Sequence, residues 1–231
     1  GKGPVLGAAL DPAQEPERYE GDGSEGKMHG KGTYTYGDGS VYAGDWIDGK
    51  MHGNGIYTFA NGNTYEGQWR DDQKEGRGRL SYANGEWYEG EWSADKAHGQ
   101  GKLKYLQGDE YEGDWVAGKK QGMGQLDFIN GDTFKGEWAD DAANGFGTLL
   151  YANKSYYKGN WVNAKRHGHG IYYHADGSRY EGEWALGRRE GKGTLYLTSG
   201  ASFAGYWTEG LISGPGTLSL PEHSPWNDAS M

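Results

Sequence analysis

Stepping through the chain by 23 residues from Tyr19 lands on Tyr42, Tyr65, Tyr88, Tyr111, Phe134, Tyr157, Tyr180 and Phe203, with no insertion or deletion on the way. A period of this length, held without a slip, marks an architecture of small units that stack on their neighbours. Other columns keep the same phase. With the aromatic as position zero, glycine fills positions two, eleven and thirteen in all nine copies. Tryptophan fills position four in eight of them, from Trp46 to Trp207, with Gly23 the exception. Position twenty is glycine in seven of eight, broken by Lys154.

The period explains an odd composition. Only 34% of residues are hydrophobic and mean hydropathy is -0.95, values that by themselves read as disorder. Yet the chain carries 10 Trp, 18 Tyr and 5 Phe, and disordered chains are poor in aromatics. The core is therefore aromatic. The four glycine columns hold 34 of the 44 glycines, so glycine serves the geometry of the repeat.

Within Tyr-x-Gly-x-Trp, alternate residues share a face, as on a strand. A turn rich in Gly, Asp and Lys follows, then a second strand with Gly at thirteen and Tyr or Leu at fifteen. Asn-Gly or Asp-Gly pairs, as at Asn61-Gly62 and Asp176-Gly177, then reverse the chain, and such pairs are the strongest short hairpin signal. No segment has a 3.6-residue period. Each repeat is one hairpin, too small to stand alone. The expected fold is all-β: a single-layer antiparallel sheet of stacked hairpins, a twisted rod roughly 80–90 Å long at ~4.8 Å per strand, with a groove. Residues 1–18 form an extended N-terminal segment, 19–220 the nine repeats and 221–231 a tail. Atypical ends, Gly23 in the first repeat and Leu211-Ile212-Ser213 in the last, act as caps.

The pattern, seen most clearly in residues 42–64 (YAGDWIDGKMHGNGIYTFANGNT), resembles the MORN repeat. The resemblance covers residues 19–220 and implies an elongated, twisted hairpin stack that binds other proteins without catalysing a reaction. Uninterrupted arrays of this kind resemble the radial spoke head proteins of cilia and flagella, through stretches such as 27–34 and 88–92. This places the chain inside the cell, on the cytoskeleton of an axoneme, in a homodimer or larger assembly. Two alternatives follow from the same resemblance. One is a membrane-tethering module. The other is a regulatory segment of a longer enzyme, left open by a chain that begins at Gly1.

Three residue sets are candidates for contact. The first is a groove lined by framework rings: Tyr65, Trp69, Tyr88, Trp92, Tyr111, Trp115, Trp138, Tyr157, Trp161, Tyr180 and Trp184. Acidic rims around it favour basic, amphipathic partners, extended or helical. The second lies on the other face, where repeats six to eight carry Phe146, Leu150, Ile171, Tyr173 and Tyr196 in place of mostly polar residues, and Tyr206 interrupts the acidic row in repeat nine. Contiguous exposed apolar groups mark partner surfaces, although the tail with Trp226 offers an alternative cover. The third is a basic turn edge, including Lys119, Lys120, Lys165, Arg166, Arg188 and Arg189, suited to anionic headgroups. Interleaved acids and a net charge of -10 weigh against a membrane, and the same charge argues against duplex nucleic acid.

Other chemistry is thin. The absence of cysteine excludes disulfides and thiolate sites. The histidines at position ten, His29, His52, His98 and His167, sit one to three repeats apart, at about 10 Å or more between equivalents. One metal ion needs ligands about 2 Å away, so these are turn residues. His167 and His169 are the one pair close enough to chelate. Gly21-Asp22-Gly23-Ser24-Glu25-Gly26 spells a dinucleotide fingerprint but lacks the helix that such a loop needs. No cofactor, metal or catalytic set is expected.

Overall fold

The computed structural model describes residues 16–222. Every regular element among them is a strand. The chain divides after Leu106 into two compact units. The first holds β1 (Arg18–Ser24), β2 (Lys27–Thr35), β3 (Val41–Ile47), β4 (Lys50–Thr58), β5 (Thr64–Arg70), β6 (Gln73–Ser81), β7 (Trp87–Ser93) and β8 (Lys96–Lys104). The second holds β9 (Glu110–Val116), β10 (Lys119–Asp127), β11 (Thr133–Ala139), β12 (Ala142–Leu150), β13 (Tyr156–Val162), β14 (Lys165–Tyr173), β15 (Arg179–Ala185), β16 (Arg188–Tyr196), β17 (Ser202–Thr208), β18 (Leu211–Ile212) and β19 (Thr217–Ser219). Each unit is a single-layer antiparallel meander of successive hairpins, the architecture expected from the period.

The register shows why the columns exist. In one hairpin Tyr42 faces Tyr57, Gly44 faces Gly55 and Trp46 faces Met51. Across to the next, Tyr57 faces Tyr65, Gly55 faces Gly67 and Gly53 faces Trp69. Positions zero, two, four, nine, thirteen and fifteen therefore share one face, the aromatic face. Positions one, three, twelve, fourteen and sixteen share the polar face. Between Gly44 and Trp46 the register slips, a bulge that bends the second strand. Gly53 sits in it at φ 57°, and a Cβ there would lie 2.6 Å from the Asp45 carboxylate.

The two kinds of turn differ from the sequence signal. The Asn-Gly loops are three-residue connections. At the loop around Asn61-Gly62, Gly62 N–H donates to the Phe59 carbonyl and Phe59 N–H to that of Asn63, both at 2.9 Å. Only the glycine has positive φ there, the pattern of a type I turn closed by a bulge. The tight two-residue turns lie at the other connection, with both residues at positive φ: 49° and 70° at Asp71-Asp72. Non-glycine residues hold this strained conformation because the turn bonds to the hairpin before it. Asp72 N–H donates to the Met51 carbonyl at 3.1 Å, and the Asp72 carboxylate accepts Met51 N–H at 2.8 Å.

The core is one ring thick. Tyr42 is fully buried and its ring crosses the paired glycines; a Cβ on Gly55 would stand 2.3 Å from its hydroxyl oxygen. That hydroxyl donates to the Asp45 carbonyl at 3.0 Å, and Trp46 Nε1–H donates back to the Gly32 carbonyl at 3.1 Å. Trp46 and Trp69 meet the Tyr42 ring edge-on at 5.0 Å and 5.4 Å. The second unit repeats this, with Tyr157 between Trp161 and Trp184 at 5.2 Å and 5.1 Å. Each such pair adds about 0.5–1.5 kcal/mol beyond burial, which lets a sheet with few aliphatics hold together.

Candidate functional site

The structure places the eleven framework rings in the core. Tyr65, Trp69, Tyr88 and Trp92 in the first unit, and Tyr111, Trp115, Trp138, Tyr157, Trp161, Tyr180 and Trp184 in the second, are each at most 7% exposed. Their polar atoms face main chain: Tyr65 and Tyr157 donate to the carbonyls of Gln68 and Asn160, both at 3.0 Å. Burial pushes the hydroxyls of Tyr65, Tyr88 and Tyr157 well above the usual phenol range, and that of Tyr180 up to about 12. They remain neutral donors at any physiological pH. A partner on this face meets the layer that covers them.

Position nine supplies much of that cover. Met51 and Ala143 are buried there. Elsewhere a cation lies over the rings: Lys74 Nζ at 5.5 Å from Trp92, Lys120 Nζ at 5.0 Å from Trp138, and the guanidiniums of Arg166 and Arg189 at 4.5 Å and 4.3 Å from Trp184 and Trp207. In the second unit a cleft of about 380 Å³ opens beside them, lined by Tyr151, Tyr172, His174, Trp184, Arg166, Arg188 and Arg189 among others. No carboxylate lines it. Its charge is opposite to the acidic-rimmed groove expected for basic partners, because the position-nine side chains fold inward over the rings instead of outward along the turn edge.

That inward turn also divides the basic edge. Lys120 is buried, and Arg166 and Arg189 are half-buried with one N–H each on the carbonyls of Gly187 and Gly210, both at 2.8 Å. Lys119, Lys165 and Arg188 stay exposed. Two of these are answered by acids of the following repeat, Lys119 by Asp140 at 2.8 Å and Arg188 by Glu209 at 3.5 Å. In the first unit Lys50 and Asp71 approach to 3.9 Å in the same relation.

On the polar face the expected apolar residues are only partly brought together. Leu150 pairs with Tyr156, Tyr156 with Tyr173, Tyr173 with Arg179 and Arg179 with Tyr196, one row across five strands. The flat groups stack: Tyr156 on Tyr173 at 4.4 Å and 17°, and the Arg179 guanidinium over Tyr196 at 3.8 Å. Ile171 lies one row over, between Lys158 and Glu181, and Phe146 lies opposite Asn160. Tyr206 pairs with Lys192, outside the row. Phe146, Leu150 and Tyr206 are 46%, 43% and 49% exposed. Trp226, the alternative cover, lies outside the described residues. Tyr156 and Arg179 went unread because they precede the repeat's framework tyrosine, outside the columns compared.

Several position-ten residues are turn clamps. Where glutamate or glutamine replaces histidine, its oxygen accepts a turn N–H of the next repeat, as Gln121 does from Asp140 at 3.1 Å and Glu190 from Glu209 at 3.0 Å. His169, the other half of the proposed chelating pair, lies 3.6 Å from Glu183. No group of three or more potential metal ligands occurs among the described residues.

The model of the MORN repeat matches nine consecutive segments, 19–41, 42–64, 65–87, 88–110, 111–133, 134–156, 157–179, 180–202 and 203–224. The chain belongs to the MORN-repeat family. This is a repeat family and not a catalytic one. A comparison with curated proteins gives no match. Among solved structures, the TCP domain of Drosophila melanogaster SAS-4 (dCPAP), in complex with a proline-rich motif of Ana2 (dSTIL), is similar at 19% identity and a TM-score of 0.42, over 68% of this chain and 85% of that one. The wild-type TCP10 domain of Danio rerio CPAP is similar at 10% identity and a TM-score of 0.48, over 92% and 99%.

The MORN repeats also contain a functional column that composition conceals. Position three reads Asp22, Asp45, Gln68, Glu91, Asp114, Glu137, Asn160 and Glu183 before Tyr206 ends it. Asp45, Gln68 and Asp114 accept the N–H of the residue after the bulge glycine at 2.8 Å, 2.8 Å and 2.6 Å. Eight consecutive side chains with a carbonyl oxygen were the signal. Read as a solvated acidic face, the column lost its structural role.

Proposed function

We propose that this MORN chain is a non-catalytic scaffold that captures a segment of another protein, and that the complex it serves belongs to a ciliary or flagellar axoneme, such as the radial spoke head. The observation that carries the binding role is the row Leu150–Tyr156–Tyr173–Arg179–Tyr196. Flat side chains of this size, stacked in register on a solvent-facing sheet, add little to the core beneath. They offer a preformed surface of the residue types that dominate interface energetics. The corresponding row of the first unit is Thr35, Val41, Thr58, Thr64, Ser81 and Trp87, mostly small residues, so the feature belongs to particular repeats and not to the fold. The axonemal setting is supported by the resemblance of long, uninterrupted arrays of this type to spoke-head proteins, and a homodimer or larger assembly fits the same picture.

The test is detergent extraction of ciliated cells expressing the tagged protein, wild type beside a Tyr156→Ser, Tyr173→Ser double variant. Wild type should remain on the extracted axoneme, and the double variant should be released while keeping its far-ultraviolet circular dichroism. Equal retention of both would remove the polar-face row as the docking surface. Retention on a different cytoskeletal structure would reject the axonemal half of the proposal. Full release of a pool that was membrane-bound before extraction would reject the scaffold reading.

A further inference from the structure

Arg166 and Arg189 occupy position nine of adjacent repeats and line the same cleft. Each guanidinium lies over a core tryptophan and spends one N–H on a turn glycine carbonyl. Neither makes an ion pair with a carboxylate among the described residues. Half-buried cations are normally paired. These two instead line one cleft, and burial, with the charge of Arg166 added, lowers the basicity of Arg189. Met28, Met51, Ala97, Ala143 and Ile212 fill the same column in other repeats. Covering the tryptophan therefore does not require a charge.

We infer that the cleft binds the carboxylates of an acidic, extended protein segment. This rests on the proposed scaffold role, and adds a second surface, on the opposite face from the polar row, with the chemistry of its occupant. Two guanidiniums with spare N–H groups form charge-assisted, forked hydrogen bonds to carboxylates. Tyr151, Tyr172 and His174 supply flat surfaces for the backbone and apolar atoms between them. The spacing selects the conformation. Equivalent residues of adjacent hairpins are about 10 Å apart, two strand separations. A polyproline II segment rises about 9.3 Å per three-residue turn, so acids at i and i+3 fall in register. A recessed cleft admits a thread more readily than a broad anionic surface, and at its mouth Arg188 is already answered by Glu209.

The experiment is isothermal titration of the full chain with the peptide Ac-(Glu-Pro-Pro)4-NH2, in low salt and in 0.3 M salt. The comparisons are Ac-(Lys-Pro-Pro)4-NH2 and phosphatidylcholine vesicles doped with phosphatidylinositol bisphosphate. The Glu peptide should bind at least tenfold more tightly than the Lys peptide, and salt should weaken it. The Arg166→Met, Arg189→Met double variant, which places in both repeats a residue the column already uses, should lose at least tenfold for the Glu peptide. Lys119→Gln, which removes an exposed cation outside the cleft, should change it less than threefold. Tighter binding of the Lys peptide would overturn the charge of the occupant while leaving a groove that binds peptides. Binding of neither peptide would overturn the groove itself, with the polar-face row still open to its own test. Undiminished Glu-peptide binding by the double variant, or vesicle binding without peptide binding, would also overturn the assignment.

Discussion

Gly170→Ala tests the central claim of the fold, that glycine is present so a tyrosine ring can lie on bare backbone. A Cβ at Gly170 would stand 2.2 Å from the Tyr157 hydroxyl oxygen and 2.5 Å from the ring carbons Cε2 and Cζ. Gly170 pairs with Gly159 in β14 and β13, in the middle of the ladder, so the backbone has little room to retreat. The ring must move. It is fully buried, donates to the Asn160 carbonyl at 3.0 Å, and lies edge-on between Trp161 and Trp184. Overpacking a close-fitted site costs about 1–3 kcal/mol. Losing the hydroxyl bond adds about 1 kcal/mol, and partial loss of two ring pairs adds about 1 kcal/mol. The expected cost is about 3–5 kcal/mol. Gly187→Ala is the control for backbone strain alone. Gly187 has φ 87° with nothing within 4 Å of a Cβ, so its cost is about 1–2 kcal/mol. The assay is urea unfolding followed by tryptophan fluorescence, with hydrogen exchange of the β13 and β14 amides to localise the loss. The decisive arm is a double-mutant cycle. Once Tyr157→Ala has removed the ring, adding Gly170→Ala should cost nothing, or gain about 0.5 kcal/mol from the lost flexibility of glycine. Equal costs for Gly170→Ala in both backgrounds would refute the ring-over-glycine account.

Three further outcomes follow from the same geometry. Tyr157→Phe should cost only about 1 kcal/mol in urea unfolding, since Phe134 and Phe203 already fill that column. Trp161→Phe should cost about 1–3 kcal/mol by the same measurement, because the buried indole N–H that reaches the Gly147 carbonyl at 3.1 Å is lost. Asp45 carries a pH signature. Its hydrogen bond from Lys31 at 2.5 Å, with that of Asn54 N–H, holds its carboxyl below the usual carboxylate range. A depressed carboxylate stabilises the fold above its unfolded value of about 4, and that contribution disappears as pH falls through the folded value. The drop in urea midpoint between pH 7 and pH 3 should therefore be smaller in Asp45→Asn than in wild type.

The period, the strand pattern and the aromatic core were legible because each follows from positions recurring at fixed spacing in one dimension. What escaped required knowing which positions face each other across the bulge. Tyr65 and Trp69 looked like the lining of a groove because spacing assigns a face but not its cover. The cover comes from position nine, a column mixing Met, Lys, Ala, Arg and Ile that has no compositional signature. Arg166 and Arg189 looked like an outward edge for the same reason: a charged residue beside a turn is ordinarily solvated, and here its stem and guanidinium fold over an indole. The turn after each tryptophan was read, but not its two-residue form with both residues at positive φ, because Asp71-Asp72 and Ala94-Asp95 lack the glycine that usually marks it. Their positive φ is sustained by bonds to the preceding hairpin, invisible in a local window.

Those bonds bear on how such a chain changes over generations. Connections between strands are ordinarily where a protein tolerates added or deleted residues. Here both sets of connections are engaged. At one, Asp140 N–H and Glu209 N–H are held by side chains of the preceding repeat. At the other, Ala83 N–H and Ala152 N–H are held by Asn63 and Asp132, twenty residues upstream. A one-residue insertion in either place breaks two neighbours at once, whereas duplication or loss of a whole 23-residue block restores every bond. Length in this molecule is therefore inherited in quanta. Copy number changes in whole repeats, and each copy can change its polar-face residues while the bonds of its turns stay in place.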